Sequence, residues 1–181
     1  MEKIFRITAA VVVTIAVCST PYGAQANELE GMAQSGRPIK VFVNGFSNES
    51  GQAEIRPEDF KTEFENALLN RKSVIFEIAA APAESDVQIS GVIKSYQYLE
   101  KDPLRPSPST ATLILDAVTT ENFVEMFAEF TVVDTRTGET VWKDTVSTFI
   151  KRMMTPAESI PLIYEKLSRV FLWKSFGKGK N

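Results

Sequence analysis

The sequence predicts a single α+β domain, with two helices packed on one face of a mostly antiparallel or mixed sheet. Three observations carry that reading. Apolar and polar residues alternate over several stretches bounded by Gly, Pro and Asn, as half-buried strands require. Two other stretches repeat their apolar residues every three or four positions, as amphipathic helices do. Between the last two alternating stretches lies Asp134-Thr-Arg-Thr-Gly-Glu139, where Gly138 supplies the positive φ of a bulged hairpin turn.

The chain begins with an export signal and not with the fold. Lys3 and Arg6 precede an apolar run, Ile7 to Val17, broken only by Thr8 and Thr14. The run is too short for a membrane-spanning helix, which needs ~20 residues. A basic start, a short apolar core and a small-residue cleavage site describe a secretory signal over residues 1–26. Two processing outcomes are written into it. Ile15-Ala-Val-Cys18 has the form of a lipobox, making Cys18 the candidate lipid attachment site, although Val17 is bulkier than the small residue expected there. Ala24-Gln-Ala26 is an A-x-A site, so cleavage after Ala26 would start the mature chain at Asn27. Both outcomes stay open on these residues.

The elements follow in order. Residues 27–38 are polar and Gly-containing and read as a tether, with the domain itself over 39–174. Ile39 to Phe46 alternates, with Ile39, Val41 and Val43 on one face, and 47–51 is loop. Pro57 opens a helix whose stripe is Phe60, Phe64, Ala67, Leu68 and Arg71. A short apolar strand over 73–80 leads to the alternating stretch 86–98, where Gly91 interrupts the apolar side and implies a bulge or a close backbone approach. Lys101 to Ser109 holds three prolines and belongs in an exposed loop; 110–120 fits either an edge strand or a short helix. Strands over 123–133 and 140–150 form the hairpin. Thr155-Pro-Ala-Glu158 is a capping box, Pro161 implies a kink or restart, and Ile160, Tyr164, Leu167 and Phe171 make the buried stripe. Residues 175–181 form a basic C-terminal tail.

Composition removes whole classes of chemistry. With 44% hydrophobic and 24% charged residues the chain is ordinary globular material. It has no histidine, and Cys18 is its one cysteine, so histidine triads, Cys-His pairs, His-metal sites and zinc-thiolate sites have no residues to build them. No phosphate-binding glycine motif is present, and no cofactor or metal is expected. Glu58, Asp59, Glu63 and Glu65 offer carboxylates for acid/base work, but helical spacing points them to solvent. The expectation is therefore a protein that is not an enzyme. A net charge of −3 gives no general attraction to nucleic acid. From Lys151 onward the balance turns to +5, which suits anionic lipid head groups or a solvated tail.

Three phrases taken together carry a resemblance. Lys40-Val-Phe-Val-Asn-Gly-Phe-Ser-Asn-Glu49 precedes an amphipathic helix; Ser85-Asp-Val-Gln-Ile-Ser-Gly-Val-Ile-Lys-Ser-Tyr96 and Val133-Asp-Thr-Arg-Thr-Gly-Glu-Thr-Val-Trp142 follow it. The combination resembles a group of bacterial envelope proteins of α/β-sandwich type, which includes the lipopolysaccharide-assembly lipoprotein LptE, the synthase activator LpoB and the CsgG-like proteins. The likeness runs from Ile39 to Phe149 through fold-forming residues, and no ligand motif transfers with it. It implies a non-catalytic accessory factor in outer-membrane or lipopolysaccharide assembly, periplasmic or anchored to the outer membrane through Cys18. The partner would be a larger envelope protein such as an outer-membrane barrel, with lipopolysaccharide or anionic lipid as a second contact. Lys94, Lys101 and Arg105 are the candidate partner or anion contacts around the Pro-rich loop. The alternatives are an activator of a cell-wall synthase and a carboxylate-dependent envelope hydrolase.

Overall fold

The computed structural model describes residues 22–99 and 122–177. Its elements are α1 (Tyr22–Gln34), β1 (Ile39–Asn48), α2 (Pro57–Leu69), β2 (Phe76–Ile78), a 3-10 turn (Pro82–Glu84), β3 (Val87–Leu99), β4 (Asn122–Asp134), β5 (Thr140–Arg152) and α3 (Pro156–Phe176). The strands form one mixed sheet in the order β2-β1-β3-β4-β5. β1 pairs parallel with β2 and β3, while β3, β4 and β5 run antiparallel. The result is one α+β domain with its helices packed against the sheet. The signal segment through residue 21, the Pro-rich stretch 101–109, the ambiguous stretch 110–120 and tail residues 178–181 lie outside the described residues.

The core forms where the helix stripes meet the inner face of the sheet. In α2, Phe60, Phe64 and Leu68 are buried, and Glu58 and Asp59 stand in the first turn, where the helix dipole favours acids. In α3 the capping box closes in both directions: the Thr155 hydroxyl accepts from the Glu158 amide at 3.3 Å, and the Glu158 carboxylate accepts from the Thr155 amide at 2.8 Å. The buried face of α3 runs through Ile163, Tyr164, Leu167, Phe171 and Leu172, with Ile160 at its half-buried margin. Helix α3 continues through Pro161, with no restart. The amide that Pro161 lacks would have bonded to Ala157 in the first turn, and Ala157 is exposed, so the missing bond does not leave a carbonyl in the core.

Two bulges set which side chains reach this core. Asn44 is the extra residue between the Val43 and Gly45 register positions, and it turns Phe46 inward. There Phe46 meets Phe60 at 4.5 Å and Phe64 at 5.3 Å between ring centroids. Phe46 fits because Gly91 has no side chain: a Cβ there would stand 2.9 Å from the Phe46 ring and 2.9 Å from the Glu129 carbonyl oxygen. The expected close approach at Gly91 is thus met, and the neighbouring bulge falls at Lys94. Past it, Tyr96 faces inward and its hydroxyl shares a 2.8 Å hydrogen bond with the buried Ser159 of α3.

The hairpin between β4 and β5 is built on Asp134. Its buried carboxylate accepts from the Arg136 amide at 2.7 Å and the Thr137 amide at 3.2 Å, and the Arg136 guanidinium donates to it at 3.0 Å. Gly138 takes φ 73°, the left-handed conformation that this turn demands.

Two boundaries need correction. The tail does not begin at residue 175, because Ser175 and Phe176 are buried in the last turn of α3. Residues 27–38 are not a polar tether: α1 runs through them to Gln34 and packs on β5 and α3. Leu29 is 0% exposed in the main core, and Met32 and Ala33 pack against it. Three apolar residues at i, i+3 and i+4 suffice to dock a short helix although its composition is polar.

Candidate functional site

Strand alternation gives the sheet two unlike faces. The inner face, Val124, Met126, Ala128, Phe130 and Val132 along β4, lies under α2 and α3. The outer face carries no described helix. Along β4 it presents Phe123, Glu125, Phe127, Glu129, Thr131 and Val133, all half-buried. At the end where β3 stops and β4 starts, apolar side chains gather. Leu99 pairs with Phe123 across the strands, and Phe123 stacks on Phe149 of β5 at 5.6 Å. Phe149 is 53% exposed and Leu99 is 56% exposed. Charged pairs edge this face: Lys143 to Glu129 at 3.1 Å, and Lys94 to Glu49 at 2.8 Å. The ammonium of Lys166 lies 5.0 Å from the Phe149 ring centre and donates to the Phe149 carbonyl, which blunts edge strand β5 at that point.

The candidate residues are dispersed. Lys94 sits at the β3 bulge, where its hydrogen bond to Glu49 raises its pKa. Lys101, Arg105 and Cys18 lie outside the described residues, and Ala26 falls within α1. The four carboxylates split by helical angle. Glu65 pairs with Lys61 at 3.8 Å, and Glu58 is exposed. Asp59 and Glu63 share a groove of about 480 Å³ with Glu54, Arg56 and Tyr164. Burial pushes the Tyr164 hydroxyl up to about 12, and it donates to the Arg56 carbonyl at 3.4 Å, so it stays protonated at neutral pH. Among the described residues, no group of three or more Cys, Asp or Glu is placed to hold a metal ion. No described helix is long and apolar enough to cross a membrane.

Sequence reasoning did not single out Phe123, Phe127 and Phe149 as a surface. The signal was present: each strand of the hairpin carries aromatic residues at both odd and even positions, so one set must face away from the helices.

No protein-family model matches the chain, and no curated protein matches it in sequence. Several solved structures are similar in shape. The PelC dodecamer from Paraburkholderia phytofirmans is 14% identical over 77% of this chain and 88% of that one, with a TM-score of 0.47. Lipoprotein GNA1162 from Neisseria meningitidis is 13% identical over 73% and 96%, with a TM-score of 0.40. The LpoB C-terminal domain from Salmonella enterica is 10% identical over 70% and 96%, with a TM-score of 0.38. At such scores these likenesses carry nothing about what the chain does.

Proposed function

We propose that the chain is a non-catalytic accessory factor of the bacterial envelope, which serves outer-membrane or lipopolysaccharide assembly by docking to a larger envelope protein. The observation that carries this reading is the sheet face that bears no described helix, with Phe123, Phe127 and Phe149 set between ion pairs. Aromatic side chains in a polar surround suit a protein partner, where they bury large area at low entropy cost. The connection 100–121 leaves from Leu99 and returns at Asn122, beside the same aromatic cluster. We assign its Lys101 and Arg105 as contacts for the same partner.

The protein would act in the periplasm, and an acyl chain on Cys18 would hold it to the outer membrane. Intact mass of the exported protein separates an Asn27 start from an acylated Cys18 start. The test of docking is a photo-crosslinking residue at Phe127 in intact cells, with mass-spectrometric identification of the adduct. An outer-membrane barrel is expected, and Lys101→Glu with Arg105→Glu should reduce its capture. A cell-wall synthase in the adduct would make the chain a synthase activator instead. Absence of any protein adduct would overturn docking through this face.

A further inference from the structure

The opposite end of the domain holds a groove of about 700 Å³ between the C-terminal halves of α2 and α3. Ala67 and Leu172 line its apolar part, and Trp173 forms a lip that is 51% exposed. Leu69, the last residue of α2, and Ile75, just before β2, are 58% and 60% exposed at this end. Large apolar side chains left so open on one end call for a partner of matching chemistry.

The charges indicate which partner. Arg71 donates from Nε to the Ser73 hydroxyl at 3.1 Å and from its two terminal nitrogens to the Leu172 and Gly177 carbonyls. It thereby neutralises the negative end of the α3 dipole, which would otherwise repel an anion in the groove. Lys72 is exposed beside it, and Arg169 is 73% exposed while paired with Glu165 at 2.6 Å. Among the described residues its lining sets Arg71, Lys72 and Arg169 against Glu63 and Glu165, one more cation than anion, with Glu30 at its Gly177 margin. An indole between cations and exposed Leu and Ile matches the layering of a bilayer surface, from charged head group to acyl boundary.

The chain's course points the same way. Helix α1 packs on β5 and α3, and the Glu30 carboxylate lies against Gly177. Beyond Gly177 the sequence continues with Lys178 and Lys180.

We propose that this end of the domain faces a bilayer, and that the α2/α3 groove seats the head group of an anionic lipid with Trp173, Leu69 and Ile75 at the acyl boundary. This goes beyond docking to a protein and uses none of the docking face. It can therefore stand or fall separately.

The test uses the exported protein carrying Cys18→Ala, so that no acyl chain supplies the binding. Vesicles of phosphatidylcholine with phosphatidylglycerol are compared with phosphatidylcholine alone. Trp142 is buried, so a blue shift in emission reports Trp173. The shift is expected with the anionic vesicles. Each Lys or Arg near such a surface is worth about fivefold in partitioning, so Lys72→Glu with Arg169→Glu should weaken binding at least about 25-fold. Lys72→Gln with Arg169→Gln should fall between, and Lys61→Glu, higher on α2, should bind as the parent does. Equal binding to both vesicles, or an unchanged double variant, would overturn the proposal. An equal shift with soluble glycerol phosphate would also overturn it, by showing a free-phosphate site in place of a bilayer surface.

Discussion

Replacing Gly91 by alanine places a methyl group where the fold has no room. The added Cβ would stand 2.9 Å from two atoms of the Phe46 ring and 2.9 Å from the Glu129 carbonyl oxygen. Carbon contacts settle at ~3.5–4.0 Å, so something must move by half an ångström or more. The carbonyl belongs to β4, which is held in register by β3 and β5, and the ring is fixed by Phe60, Phe64 and Phe130. Overpacking of this kind costs about 1–3 kcal/mol, offset by about 0.4–1 kcal/mol from the lower entropy of an unfolded chain with alanine. A net loss of about 1.5 kcal/mol, at a urea slope of about 2 kcal/mol/M, lowers the unfolding midpoint by roughly 0.7 M. The assay is urea unfolding followed by the fluorescence of buried Trp142. Phe46→Leu sharpens it: alone it destabilises, but with Ala at 91 it relieves the clash, so the double variant should lose less than the sum of the two singles. Unchanged or higher stability of Gly91→Ala, or strict additivity with Phe46→Leu, would refute the close approach.

Three further outcomes follow from buried groups near the same sheet. Leu29→Ala should cost about 2–5 kcal/mol because Leu29 lies in the core, and a tether residue would cost nothing measurable in the same melt. Asp134→Ala should cost about 1–3 kcal/mol by leaving the turn amides without their acceptor. The Arg136 side chain, followed by the turn amides, holds the Asp134 carboxyl below its ordinary value of 3.8. A depressed folded value means the contribution is complete above that range and is lost as pH falls through it. Asp134→Asn should accordingly flatten the acid limb of a stability-against-pH curve, and an unaltered limb would count against the assigned role.

What was legible in the sequence was mostly local. The capping box at Thr155, the turn at Gly138 and the stripe of α2 are short-range patterns, and each stands where its residues place it. The parallel pairing of β1 with β3 was not legible, because it joins segments more than forty residues apart and no neighbouring residue records it. Bulges were half legible. Gly91 advertised a close contact, but the phase changes at Asn44 and Lys94 depend on which partner residue is skipped. Helix α1 escaped because its docking rests on Leu29, Met32 and Ala33 within a polar stretch. The outer aromatic cluster escaped for another reason: alternation assigns the even positions of β4 to the core, but it does not bring Phe123 and Phe149, scattered among Glu, Lys, Ser and Thr, together on one patch until the strands are paired. Lys94 shows the weakness of selecting cations by sequence, since it is already engaged by Glu49.

The three longest strands also fix a length. β3, β4 and β5 each have 13 residues, which at ~3.4 Å per residue makes a stiff rod of roughly 40 Å. The groove with Trp173 lies at one end of that rod, and the aromatic cluster of Phe123 and Phe149 lies at the other. Anything held at the first end is kept a set distance from anything gripped at the second. Loop insertions would leave this spacing unchanged, whereas two residues added to each strand would lengthen it by ~7 Å. Were both ends occupied as proposed, strand length would set the distance between the two occupants.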